Sequence, residues 1–233
     1  MLSWFVSERD GAADKMASFG RRLPALLLLI GLVLMPVPAR SAPTQLSTSP
    51  VFTIPTAEDP PRVVGFSKLR RTDDGISIGV KTSDLKPGDV VTMWVIVAND
   101  PDDCEVGFPG LSQCGPADHI AGRGQMSVHH GAGRIVARDG TKNFAAHLRV
   151  GDTSRALFEG EPGLIDPRGA EVIAVLKTHG PRIPGLVFDQ LRTFAGGCAD
   201  QSTPPGLTPR PGMLGASGEN DCAEIQFTAH SPR

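Results

Sequence analysis

Val90-Val91-Thr92-Met93-Trp94-Val95-Ile96-Val97-Ala98 is the stretch that decides the fold. It is rich in β-branched residues and apolar at almost every position, where a half-buried strand would be apolar at every second one. Such a strand has both faces covered, so it belongs in the middle of a sheet or between two packed layers.

Upstream, Leu85-Lys86-Pro87-Gly88-Asp89 supplies a turn, and Ile76-Ser77-Ile78-Gly79-Val80-Lys81-Thr82 alternates at period two. Thr72-Asp73-Asp74-Gly75 joins that strand to Val63–Leu69, which predicts a hairpin. Downstream, Gln125–Val128 and Gly133–Ala137 flank His129-His130-Gly131, and Asp139-Gly140 turns the chain into Asn143–Val150. In that last run Phe144, Ala146, Leu148 and Val150 share a face. Ala170–His179 is a mostly apolar strand, Val187–Phe194 is of mixed period, Gly206–Asn220 is a Gly/Pro-rich excursion, and Ala223–His230 closes the chain by clean alternation. Seven to nine short strands joined by Gly, Pro and Asp turns, with no convincing helix, predict an all-β fold: an antiparallel β-sandwich or flattened barrel.

The N-terminus reads differently. Arg21-Arg22 leads into the apolar run Leu23–Val37, and the small-residue stretch Pro38-Ala39-Arg40-Ser41-Ala42 follows. Basic, apolar and small segments in that order form a secretory signal peptide, which places cleavage between Ala39 and Ala42. The apolar run is shorter than the ~20 residues of a spanning helix, so the mature chain is expected to make no stable membrane insertion. The domain reading is therefore 1–42 signal peptide, with Met16 as a second candidate start, 43–61 a flexible Pro/Thr/Ser lead-in, and 62–231 a single β-sandwich domain. A secreted or periplasmic location follows.

Removing residues 1–42 leaves 18 Lys and Arg against 22 Asp and Glu, and the chain has no tyrosine. That mildly acidic balance gives no footprint for nucleic acid. Serines occur without a Gly-x-Ser-x-Gly elbow, and no glycine-rich phosphate loop opens a helix.

Four cysteines, Cys104, Cys114, Cys198 and Cys222, allow three pairings. Locality favours Cys104 with Cys114 and Cys198 with Cys222, each closing a loop. A metal site has less support, because no Cys-x2-Cys spacing is present and no histidine stands at ligand spacing from a cysteine.

Two other sets of residues carry chemical potential. His129, His130, His147 and His179 are metal candidates, although neighbours on a strand point to opposite faces and the first two would need a turn at Gly131 to share an ion. Asp166, Arg168, Glu171 and His179 are candidate binding residues, offering acid, base and anion-holding groups around Leu164–Glu171. Glu171 and His179 would lie roughly 26 Å apart on an extended strand, too far to act on one atom without a bend.

Asp84-Leu85-Lys86-Pro87-Gly88 running into Thr92-Met93-Trp94-Val95, the cysteine loop after Asn99, Leu164–Glu171, Thr178-His179-Gly180-Pro181 and the closing Cys222–His230 together resemble a group of uncharacterised secreted bacterial proteins. The resemblance implies export and a disulfide-bearing β domain, and no activity. The expected function is an extracytoplasmic binding or structural module without a cofactor, its partner unidentified. The alternative is a metal-binding protein or an enzyme built on the histidines and the Asp166/Arg168/Glu171 segment.

Overall fold

The computed structural model describes residues 42–56, 59–108 and 110–232. The signal-peptide reading thus falls outside the described residues except at Ala42. Eight strands form one antiparallel sheet: β1 (Gln45–Thr53), β2 (Val63–Thr72), β3 (Gly75–Thr82), β4 (Asp89–Ala98), β5 (Met126–Ile135), β6 (Lys142–Arg149), β7 (Glu171–Pro181) and β8 (Ala223–His230). Their order is β5-β4-β7-β8-β1-β2-β3-β6, and the terminal strands β5 and β6 lie against each other. The sheet curls into a nearly closed barrel, the flattened-barrel form of the expected fold.

Alternation places one apolar set inside. Val91, Met93, Val95 and Val97 of β4 meet Val172, Ala174 and Leu176 of β7, Ile76, Ile78 and Val80 of β3, and Phe144, Ala146 and Leu148 of β6. Burial of these side chains is the main drive for closure, each Val, Ile, Leu, Met or Phe contributing about 1.5–3 kcal/mol. The outward residues of β4 and β5 are buried too, because Trp94 and Val128 pack under Leu157 and Phe158, with Ile96 and Phe194 beside them. Hence β4 is apolar on both faces: the barrel interior covers one and connecting loops cover the other.

Residues 45–53 correct the reading of 43–61 as a flexible lead-in. They form β1, which pairs with β2 from Gln45↔Arg71 to Phe52↔Val63 and with β8 at Phe52↔Phe227 and Thr53↔Gln226. Pro50 falls where β1 has a sheet partner on one side only, a position that tolerates proline. The barrel interior beside β1 is polar: Ser47 Oγ meets His230 Nδ1 at 2.8 Å, and buried Ser67 meets His230 Nε2 at 2.8 Å and Thr228 Oγ1 at 2.6 Å. An inward face of serines has no apolar period to read.

The barrel end near Thr72 is plugged by Arg71, whose buried guanidinium donates to the carbonyls of Pro167 (2.7 Å), Ala170 (2.8 Å), His230 (3.1 Å) and Ser231 (3.1 Å). Two short helices interrupt the loops, α1 (Pro116–Ile120) and α2 (Val187–Arg192). The mixed-period segment is therefore helical at its start. Its docking requires glycine opposite, because a Cβ on Gly133 would run into the Leu191 carbonyl.

Candidate functional site

Between β4 and β5 the chain makes a long excursion, residues 99–125, that folds back over the outer face of the sheet. Three devices shape it. Cys104 and Cys114 form a disulfide. Asp118 is fully buried, and its carboxylate accepts the N–H groups of Glu105 (2.8 Å), Val106 (3.1 Å) and Gly115 (3.0 Å) and the Arg123 guanidinium (3.0 Å). Burial alone would raise its pKa, but these donors outweigh that and hold it below the usual carboxylate value. Glu171, at the head of β7, accepts the N–H groups of Gln113 and Cys114 at 2.9 Å each.

Beneath this roof lies a cavity of about 110 Å³. Its floor is the outward face of the sheet: Trp94 and Ile96 of β4, Val128 of β5, Ile173 and Val175 of β7, and Phe227 of β8. Its roof is supplied by loops, with Phe108 stacked on Phe227 at 4.9 Å between centroids and Phe158 against the His119 ring at 5.6 Å. Phe194 closes one side, edge-on to Trp94 at 5.5 Å and capped by the Lys177 ammonium 3.9 Å above its ring.

The lining is apolar apart from two ionisable side chains, His119 and Glu224. His119 Nε2 is fixed 3.2 Å from Glu161 Oε1, and Glu161 in turn accepts the N–H groups of Val128 (3.0 Å) and Phe158 (3.2 Å). This carboxylate ties the loop bearing Phe158 to β5 and orients the one imidazole that faces the cavity. Chemically the chamber suits a small, mostly apolar group with one polar end.

The four candidate binding residues are not brought together. Asp166 caps its own turn through the Arg168 N–H (2.8 Å), Arg168 pairs with Asp73 (2.8 Å), and Glu171 serves the roof. Burial pushes the Glu171 carboxyl up, against the two N–H groups that favour its ionised form. His179 is fully buried beside the other disulfide, Cys198–Cys222. Its Nδ1–H donates to the Gly196 carbonyl (2.9 Å), and its Nε2 accepts from Thr92, whose hydroxyl oxygen accepts the Trp94 indole N–H, both at 2.9 Å. The pairings favoured by locality are thus the ones present, and Glu171 holds a loop that His179 never touches.

The histidines scatter as well. β5 runs unbroken through His129 and His130, so the turn they would need to share an ion is not formed; Gly131 is instead absorbed in a bulge opposite Met93 and Trp94. His130 packs edge-on against Trp94 at 5.4 Å, so His129 takes the other face, where its Nε2 is buried without a hydrogen-bond partner among the described residues. Burial pushes the pKa of both below the ordinary value. His147 sits exposed on β6, bonded to Ser77 at 3.0 Å. Among the described residues the one group of three or more His, Cys or acid side chains with ligand atoms within 4.8 Å of one another is His179, Cys198 and Cys222, and both sulfurs are spent in a disulfide.

Comparison with known proteins gives no relative. No family model, curated protein or solved structure matches this chain. No helix among the described residues is long and apolar enough to cross a membrane. Sequence reasoning missed Asp118, His119 and Glu161, the polar residues that build and line the cavity. No motif marks them, and only the length and cysteine staple of residues 99–123 pointed to the region.

Proposed function

We propose that this chain is an exported binding module that takes a small, largely apolar ligand into the cavity between the barrel and the Cys104–Cys114 loop. The basic, apolar and small segments before Pro43, the two disulfides and the resemblance to secreted bacterial proteins support export. One observation carries the binding reading: aromatic and aliphatic side chains from four strands and four loops converge on a chamber of about 110 Å³ with a single oriented imidazole. Pockets for small molecules are concave, apolar and furnished with few polar groups. A dry apolar cavity of about 150 Å³ accepts benzene, so this one accommodates a ring or short branched chain. The enzyme alternative loses its basis, since Asp166, Arg168, Glu171 and His179 serve separate structural partners.

The test is calorimetric titration of the purified mature chain with benzene, a neutral aromatic ring of the size the cavity admits. Saturable binding is expected, weakened at least about tenfold by Ile96→Phe or Val175→Trp, which fill the chamber. Absence of saturable binding, or equal binding by variants that unfold at the wild-type temperature, overturns the proposal.

A further inference from the structure

A second concavity, of about 640 Å³, opens where the barrel fails to close. Strand β5 pairs only with β4 and β6 only with β3, so their facing edges leave a seam. Residues 152–157 bridge its upper part: His130 donates its N–H to the Arg155 carbonyl (3.0 Å), and the Arg155 guanidinium donates to the His147 carbonyl (2.9 Å). Below that bridge, α2 forms the opposite bank.

Three exposed guanidiniums line this groove, from Arg134 of β5, Arg155 of the bridging loop and Arg192 at the end of α2. The ion pairs among the described residues involve Arg62, Arg123, Arg168 and His119, and none involves these three. Asp189 also lines the groove, its Oδ2 accepting the Ala216 N–H at 2.9 Å, so three guanidiniums face one carboxylate there. The positive charge reaches the wall: burial lowers the His130 pKa, the Leu191 carbonyl bonded to its ring opposes this, and Arg155 and Arg192 add to the lowering. In a mature chain of net negative charge, three guanidiniums on one concave surface make a local reversal of sign.

Shape narrows the ligand. The floor is Gly131, Ala132, Gly133 and Ala145, small residues that keep the groove shallow-sided, with the Leu191 carbonyl of α2 seated over Gly133 at one end. At the rim Phe188 is 65% exposed and carries the Arg192 guanidinium 4.8 Å from its ring centre, a combined apolar and cationic platform. Guanidinium forks match carboxylates in two parallel hydrogen bonds. A lone inorganic anion would use neither the exposed ring nor the length of the groove.

We propose that the seam between β5 and β6 is a second binding site, for an acidic saccharide: a chain of carboxylated sugar rings whose carboxylates pair with Arg134, Arg155 and Arg192 while one ring lies on Phe188. It is independent of the apolar cavity, which shares no side chain with it.

Isothermal titration calorimetry of the mature chain with a galacturonic acid tetramer tests it, with maltotetraose and inorganic phosphate as controls. The tetramer binds saturably and more weakly as salt rises, and maltotetraose does not bind. Arg134→Gln with Arg192→Gln lowers affinity about a hundredfold, each guanidinium contributing about tenfold, and Phe188→Ala lowers it less. Because Arg155 also holds the seam, these variants leave it in place. A silent titration, binding unchanged in the double variant, or phosphate binding as tightly as the tetramer each overturns the proposal.

Discussion

The carboxylate of Glu171 accepts the backbone N–H of Cys114 at 2.9 Å, so a buried acid at the head of a barrel strand fastens the disulfide loop that roofs the cavity. The same carboxylate takes the Gln113 N–H. Replacing it by alanine strands two donors, one of them buried, at about 1–3 kcal/mol for such a group. Glu171→Ala is therefore expected to lower stability by about 2 kcal/mol in urea unfolding and to speed hydrogen exchange at Gln113 and Cys114. Unchanged exchange at those amides would refute the fastening role.

Stability should fall in acid through His179. Its pKa is pushed down to about 4, first by burial and then by Lys177 and His130, against the Gly196 carbonyl that favours the charged ring. The unfolded ring titrates near 6.5 and so binds protons more tightly than the folded one. Its contribution is complete above pH 6.5, is lost as pH falls from 6.5 to about 4, and levels off below; integrated, it is about 3 kcal/mol. Glu171, with its pKa raised, works in the opposite direction and gains stability on protonation. Urea midpoints across that range, and an imidazole resonance for His179 that stays neutral at pH 5.5, check the prediction; a ring that titrates near 6.5 refutes it.

The two disulfides should differ in what their loss does. Cys198–Cys222 closes the longer loop, with a separation of 24 against 10, and the chain-entropy account gives about 3.5 and about 2.8 kcal/mol. Cys198→Ser with Cys222→Ser should thus cost more global stability. Cys104→Ser with Cys114→Ser, the pair that borders the cavity, should cost more probe binding. Thermal unfolding and benzene titration of both double variants measure the two effects separately.

Arg71 donates four hydrogen bonds to carbonyls from two chain segments that close one barrel end. Arg71→Leu leaves those acceptors without their donor and should destabilise by about 3 kcal/mol or more. Arg71→Lys keeps the charge but not the planar fork, and an intermediate loss is expected. Circular dichroism melts of both variants rank them.

How far the chain announces this architecture depends on where apolar contrast survives. Ile76–Thr82, Asn143–Val150 and Ala223–His230 alternate because one side meets the barrel interior and the other meets water or a thin loop. Val90–Ala98 is apolar throughout because loops cover its outer side, so it is legible as a strand but not as a barrel stave. Gln45–Thr53 is silent because its inward positions include two serines, one of them, Ser47, bonded to His230, and only one aliphatic residue, Val51. The cavity was foreshadowed only by the long stapled loop after Asn99; besides one N–H three residues away, Asp118 and Glu161 reach across 12 to 33 residues to other backbone N–H groups, and those distant pairings leave no local pattern. Glu171 and His179 stood out by residue type, yet their partners lie 57 and 87 residues away.

The roof over the cavity has its shape set from within, by Asp118 and the Cys104–Cys114 bridge, and is moored to the staves by Glu171. It is in effect a cassette. Substitutions at Phe108, Pro116 or Ile120 can recut the chamber for a new guest while the barrel's interior packing goes untouched, so divergence in what is bound need leave no trace in the scaffold.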